Sequence, residues 1–277
     1  QVLRILPRLN DDINEEWISD KARFSCDGLS RRRIDRPWVR RDGRLVAASW
    51  AEAFEAIAAR VQGLAGERIA ALAGDQADLE AMAAAKDLLA SLGSANLDCR
   101  QDGATLDASR RDFYLFNSTI AGIDRAGAAL LIGTNPRWEA AVLNARLRRR
   151  WLAGRFAVGL IGEARDLPYR YDHLGTAPSA LAALLGGQGF AETLRKAERP
   201  MIILGQGALA RPDGAAVLAA AWTLARNVGA LAPEWHGFNV LHTAAARVGG
   251  LDIGFLPGPE GRDLHGILDG ARSGEIE

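Results

Sequence analysis

Ala128-Ala129-Leu130-Leu131-Ile132, followed at once by Gly133-Thr134-Asn135-Pro136, constrains this chain more than any other stretch. Five apolar residues are too few for a helix of their own, and no polar residue alternates with them. That is the pattern of a strand buried on both faces of a parallel sheet. Gly133 permits positive φ, and Pro136 fixes φ near the helical value while lacking an N–H that the first helical turn leaves unused. From Arg137 the spacing is helical, with Trp138, Ala141, Val142, Ala145 and Trp151 or Leu152 expected on its buried side. Strand, tight turn and helix make the first half of a βαβ unit.

The theme repeats. Strands are expected at Ile69–Ala73, Asn96–Cys99, Ala157–Ile161 and Met201–Leu204, most of them closed by glycine. Helices are expected from Ser49, capped by its own hydroxyl with Glu52 reaching back, and over 77–92, 179–185, 190–196, 212–227, 238–248 and 264–272. Residues 103–119 read as a short strand or a turn around Phe113, Leu115 and Phe116, and Asp42-Gly43 reads as a hairpin turn. The alternation predicts an α/β fold, a mostly parallel, Rossmann-like sheet with helices on both faces, preceded by a small irregular or β segment. The expected division is 1–46 and 47–277. Within the first part Asp11, Asp12, Glu15, Glu16 and Asp20 precede Arg31-Arg32-Arg33 and Arg40-Arg41. These charges suit either a solvated, salt-bridged segment or a docking surface.

Composition excludes several classes. Lys plus Arg and Asp plus Glu balance at 34 each, so there is no net basic surface for nucleic acid. No stretch approaches the ~20 apolar residues that span a bilayer, and no secretory leader opens the chain. Cys26, Cys99 and four histidines give no ligand cluster for zinc or iron–sulfur. Starting at Gln1 rather than Met, and ending at Gly274-Glu275-Ile276-Glu277 just after a helix, the chain reads as a piece of a longer polypeptide whose next strand is missing.

Ligands of such sheets lie beyond the carboxyl ends of the strands, which directs attention to Gly74-Asp75-Gln76, Gly133-Thr134-Asn135, Gly162-Glu163 and Gly205-Gln206-Gly207. Gly205 to Ala210 fits a dinucleotide fingerprint, with Glu234 as a candidate ribose acid. Arg211-Pro212-Asp213-Gly214 nevertheless delays the helix that would face a pyrophosphate, so the glycines are expected to serve the turn. Arg146, Arg148, Arg149 and Arg150 sit where cations oppose the helix dipole, or where an acidic partner would dock. His236 and His242 lack metal spacing and are expected to be structural. No P-loop, nucleophile elbow or triad is present, so no catalytic residue is assigned.

Three stretches carry a resemblance. Arg8-Leu9-Asn10-Asp11-Asp12-Ile13-Asn14-Glu15-Glu16-Trp17-Ile18-Ser19-Asp20-Lys21-Ala22-Arg23-Phe24 resembles the signature of the large iron–sulfur subunit in the peripheral arm of respiratory NADH–quinone oxidoreductases (complex I). Gly133-Thr134-Asn135-Pro136-Arg137-Trp138-Glu139-Ala140 with Leu143-Asn144-Ala145-Arg146, and Phe238-Asn239-Val240-Leu241-His242-Thr243-Ala244-Ala245, resemble the same subunit.

The resemblance implies a remnant of the small iron–sulfur domain over 1–46 and a molybdopterin-oxidoreductase-like domain over 47–277. The full-length subunit is expected to bind iron–sulfur clusters through cysteines upstream of Gln1. The last cysteine of a further cluster found in some relatives would fall near Ser19, a poor ligand, with Cys26 several residues off register. No metal is expected here. In catalytic relatives the segment matching Gly133, Thr134, Asn135 and Pro136 contacts the pterin nucleotide, which makes these four the relict cofactor segment. No cysteine or serine for molybdenum is identifiable.

The expected role is a non-catalytic, cofactor-free scaffold within NADH-to-quinone electron transfer. Its expected partners are the other peripheral-arm subunits of complex I, with no nucleic acid and no direct membrane insertion. Abundant Ala and Arg favour the cytoplasmic face of a bacterial inner membrane over the mitochondrial matrix side. The rivals are a working molybdopterin-dependent oxidoreductase and a nucleotide-binding module at Gly205 to Ala210.

Overall fold

The computed structural model describes residues 2–31 and 33–277. Gln1, on which the reading of the chain's start rests, and Arg32, the middle of the Arg31–Arg33 run, lie outside the described residues. After a short helix α1 (Asp20–Phe24) comes an antiparallel hairpin, β1 (Trp38–Arg41) and β2 (Arg44–Ala47). Asp42 and Gly43 turn it with φ of +48° and +77°, the positive pair that lets a two-residue turn follow the strand twist. Helix α2 (Trp50–Val61) starts on a capping box. Ser49 Oγ accepts the Glu52 N–H at 3.2 Å, and the Glu52 carboxylate accepts the Ser49 N–H at 2.8 Å.

Strands β3 (Ala70–Leu72) and β4 (Asn96–Asp98) form a separate parallel pair bridged by α3 (Leu79–Ser91). Then come β5 (Ala128–Ile132), the single turn α4 (Pro136–Glu139), α5 (Ala141–Leu152), β6 (Ala157–Ile161), β7 (Asp172–Gly175), α6 (Pro178–Leu185) and α7 (Phe190–Lys196). The chain continues through β8 (Pro200–Gly205), the turn α8 (Gln206–Leu209) and α9 (Gly214–Asn227). A small hairpin of β9 (Leu231–Ala232) and β10 (Trp235–His236) leads into β11 (Phe238–Leu241), α10 (Arg247–Asp252) and α11 (Leu264–Ser273).

Strand β5 is the centre of a five-stranded sheet in the order β11-β8-β5-β6-β7, with every pairing parallel. The chain runs outward from β5 to β7, returns to β8 on the other side of β5, and runs outward again. The order therefore reverses between β5 and β8. All five residues of β5 are buried, and their alternation divides the core in two. Ala128, Leu130 and Ile132 pack with Leu181, Leu194, Leu218 and Leu224 from α6, α7 and α9. Ala129 and Leu131 pack with Leu143 and Leu147 of α5, Tyr169 and Trp235. The architecture is α/β, a parallel sheet covered by helices on both faces and preceded by a small antiparallel segment.

Two expectations fail here. Residues 238–248 are not one helix: 238–241 are the edge strand β11, and the helix begins only at Arg247. Asn239 decides it. Fully buried, its side chain accepts the Ser118 N–H at 2.9 Å and the Ser118 hydroxyl at 3.0 Å, while Phe238 and Val240 point into the main core. The buried side of α5 is also misplaced. Leu143, Asn144, Arg146 and Leu147 are buried, whereas Trp138 is 79% exposed. Ala140, at φ −150° and ψ 65°, ends α4 and resets the helical phase. The true face contains Asn144 and Arg146, which apolar periodicity does not count.

Those two residues have partners. The Tyr169 hydroxyl donates to Asn144 Oδ1 at 2.7 Å. Arg146, 3% exposed, donates to the Asp12 carbonyl at 3.1 Å, to the Asp11 carbonyl and to Glu15 Oε1 at 3.3 Å. Arg149 beside it pairs with Glu15 at 2.6 Å and Asp124 at 2.7 Å. The segment that carries the acidic cluster is thus clamped onto α5 through the Asp11 and Asp12 carbonyls and the Glu15 carboxylate. The two arginines answer charges within this chain and do more than offset a helix dipole.

Candidate functional site

A cavity of about 410 Å³ opens beyond the carboxyl ends of the strands, at the reversal of strand order. That is where open α/β sheets bind their ligands, and the volume lies in the range of small-molecule sites. Its walls are Gly133–Asn135 after β5, Gly162 and Glu163 after β6, Thr176–Pro178 after β7, and Gly207–Ala208 in α8.

The Gly133 and Gly205–Gly207 loops close on each other. Gly133 has φ +59°, and a Cβ there would stand 2.5 Å from the Ala208 Cβ. A Cβ on Gly205 would stand 2.5 Å from the Thr134 Cβ, and one on Gly207 would stand 2.7 Å from the Gly133 carbonyl oxygen. The glycines of the apparent fingerprint therefore permit backbone contact, and the long helix α9 starts only at Gly214.

The Thr134–Pro136 turn is held by a residue that sequence reasoning passed over. The Glu139 carboxylate accepts the Asn135 N–H at 2.9 Å through Oε1 and the Thr134 hydroxyl through Oε2. Thr134 and Pro136 are buried, and Asn135 Oδ1 is buried with no partner among the described residues. A threonine and asparagine followed by a glutamate one turn on was the available signal, a variant of the capping box. Both arginines of the cavity wall are engaged, Arg165 with Glu163 at 2.6 Å and Arg211 with Asp213 at 2.7 Å. No ion pair of Glu139 with a cation occurs among the described residues.

The remaining sequence candidates lie elsewhere. Gly74-Asp75-Gln76 follows β3, outside this sheet, and the Asp75 carbonyl accepts the Ala246 N–H at 2.9 Å. Glu234 sits exposed in the β9–β10 turn, which leads into the start of β11. It is at the wrong end of the sheet for a ribose acid. Cys99 is buried beneath Gly250, and burial pushes its thiol up to about 11. Neither cysteine lines the cavity. Among the described residues, no three His, Cys, Asp or Glu side chains are grouped to hold a metal ion.

His242 follows β11. One ring nitrogen, Nε2, lies 2.6 Å from the Tyr114 carbonyl, and Nδ1 faces the Gln206 amide at 3.4 Å. Burial lowers its pKa from the usual 6.5, with Arg247 nearby adding to the shift. A histidine depressed in the fold binds its proton more readily once unfolded, so acidification below the ordinary value removes stability. The urea midpoint is expected to fall between about pH 7 and about pH 5, and His242→Asn is expected to flatten that slope. An unchanged slope in the variant would remove His242 from the account.

Residues 33–269 match the family model described as molybdopterin oxidoreductase. That stretch is most of the chain, and the chain belongs to the molybdopterin oxidoreductase family. Residues 1–27 match a second model, the NADH-ubiquinone oxidoreductase NDSU1/NuoG-like 4Fe-4S domain. Two relatives within the family are similar over most of this chain. The NADH-quinone oxidoreductase G subunit of Rickettsia bellii is 45% identical over 256 residues, 92% of this chain and 38% of that protein. The mitochondrial NADH dehydrogenase (ubiquinone) iron-sulfur protein 1 of Solanum tuberosum is 44% identical over 259 residues, 93% of this chain and 35% of its own length.

The chain therefore spans little more than a third of these curated relatives. Among solved structures, a formyltransferase/hydrolase complex from Methylorubrum extorquens aligns at TM-score 0.46 and 18% identity, over 75% of this chain and 63% of that one.

Proposed function

We propose that this chain is a structural member of an NADH–quinone oxidoreductase, part of its large iron–sulfur subunit, and that it holds no molybdopterin and performs no chemistry of its own. The similarity to the G subunits supports the assignment to that complex, and the single observation that carries the cofactor-free part is Glu139. Its carboxylate lies on the amide and hydroxyl of the very turn that a pterin nucleotide of this family would approach, and the wall arginines are paired elsewhere. The residues present do not fit a phosphate-bearing cofactor. Neither thiol reaches the cavity, so no thiolate is offered to molybdenum.

The division into 1–46 and 47–277 belongs to the same proposal, with the first part as remnant of an iron–sulfur domain and the clusters of the whole protein held by cysteines before Gln1. Support for the iron–sulfur remnant comes from the second family match over residues 1–27. Partners are the other subunits of the peripheral arm. No helix among the described residues is long and apolar enough to cross a membrane, and the proposed position is peripheral, on the cytoplasmic face of a bacterial inner membrane.

Affinity purification from the native source through a tag on the full-length protein tests the assignment. NADH-dependent quinone reduction is expected to co-purify in constant ratio to the tagged chain. A tagged protein that elutes free of that activity would remove the assignment.

A further inference from the structure

Glu139 lies on the exposed side of α4, yet both its carboxylate oxygens are turned back onto the Thr134–Asn135 backbone turn. An N–H and a hydroxyl converging on one negative group, beside a cavity at a sheet's switch point, are what a bound phosphate would otherwise receive. Here the negative group is covalently part of the chain. Arg165 and Arg211 stand in half-exposed ion pairs with Glu163 and Asp213, and an incoming anion would meet the like charges of Glu139 and Glu163 on the same wall.

We propose that Glu139 is the residue that closes this cavity to phosphate-bearing ligands, acting as a built-in anion that holds the Thr134–Pro136 turn. The inference rests on the cofactor-free reading above and adds to it a specific determinant. Removing the carboxylate exposes the Asn135 N–H and the Thr134 hydroxyl and takes away the like charge. Replacing it with an amide takes away the charge while keeping an acceptor for the Asn135 N–H.

The test uses the full-length protein, the variants E139A and E139Q, and inorganic pyrophosphate as probe, read by titration calorimetry and by the thermal midpoint with and without probe. Wild type is expected to give no saturable heat at millimolar pyrophosphate. E139A is expected to bind at least about tenfold more tightly than wild type, the scale of one modest electrostatic contribution, and to regain thermal stability when pyrophosphate is added. Should E139A not fold, E139Q decides: tighter binding than wild type supports the proposal and unchanged binding overturns it. A folded E139A that, like wild type, gives no saturable heat overturns the role of Glu139 and leaves the cofactor-free reading standing. Wild type binding pyrophosphate as tightly as E139A overturns both.

Discussion

Arg146→Met is expected to lower the unfolding free energy by about 3 kcal/mol, the low end of what breaking a buried ion pair costs. The guanidinium is almost wholly buried and is the common partner of the Asp11 and Asp12 carbonyls and of Glu15. Methionine fills much of the volume but leaves those acceptors unanswered and Glu15 with one cation fewer. Glu15 sits at φ +53°, a conformation that a non-glycine residue keeps only under constraint from its surroundings. The first twenty or so residues should therefore detach as well as weaken. Urea unfolding measures the first effect, and limited proteolysis between α1 and the start of the chain measures the second. Arg149→Met is the control. Arg149 is half exposed, and surface pairs contribute about 0–1 kcal/mol. Equal effects of the two substitutions would contradict the clamp.

Gly133→Ala is expected to cost about 3 kcal/mol or more. A left-handed conformation costs an L-residue roughly 1–2 kcal/mol, and Gly133 has φ +59°. The new Cβ would also stand 2.5 Å from the Ala208 Cβ and 2.6 Å from the Ala208 nitrogen, which demands backbone movement, a further ~1–3 kcal/mol. Gly63→Ala separates the two contributions. Gly63 has φ +81° with nothing within 4 Å of the added atom, so conformational strain acts alone and the loss should stay within roughly 1–2 kcal/mol. Chemical denaturation of both variants measures the difference. If Gly133→Ala proved no worse than Gly63→Ala, the close contact between the loops after β5 and β8 would be wrong.

The sheet was legible because its central strands leave no alternative. Ala128–Ile132, Ala157–Ile161 and the stretch around Met201–Leu204 are unbroken apolar runs closed by glycine, and each is a strand. The Ser49–Glu52 capping box and the Asp42–Gly43 turn were legible for the same reason, since each is a local arrangement completed within four residues. The edge strand β11 was not. Its buried Asn239 bonds to Ser118 across 121 residues, and only that contact makes a polar side chain acceptable there. The buried face of α5 was hidden likewise, because Arg146 is buried only by virtue of carbonyls more than 130 residues earlier in the chain.

At the cavity, residues 133–136 could be singled out from the strand–turn–helix pattern and the family resemblance. Glu139 escaped notice because glutamate in a first helical turn usually serves the helix alone. Its contact with the Thr134 hydroxyl reaches back over a turn whose shape only the fold defines. Polar groups whose partners are distant, or whose role depends on loop conformation, are the ones that apolar pattern cannot reach.

Molybdenum, tungsten and pterin content of the full-length native protein tests the central claim most directly. Elemental analysis of the protein purified from its own source, with pterin fluorescence after acid release and oxidation, is expected to give far less than one metal and one pterin per chain. One molybdenum or tungsten with matching pterin per chain, both lost when the Gly133–Pro136 turn is disrupted, would contradict the account.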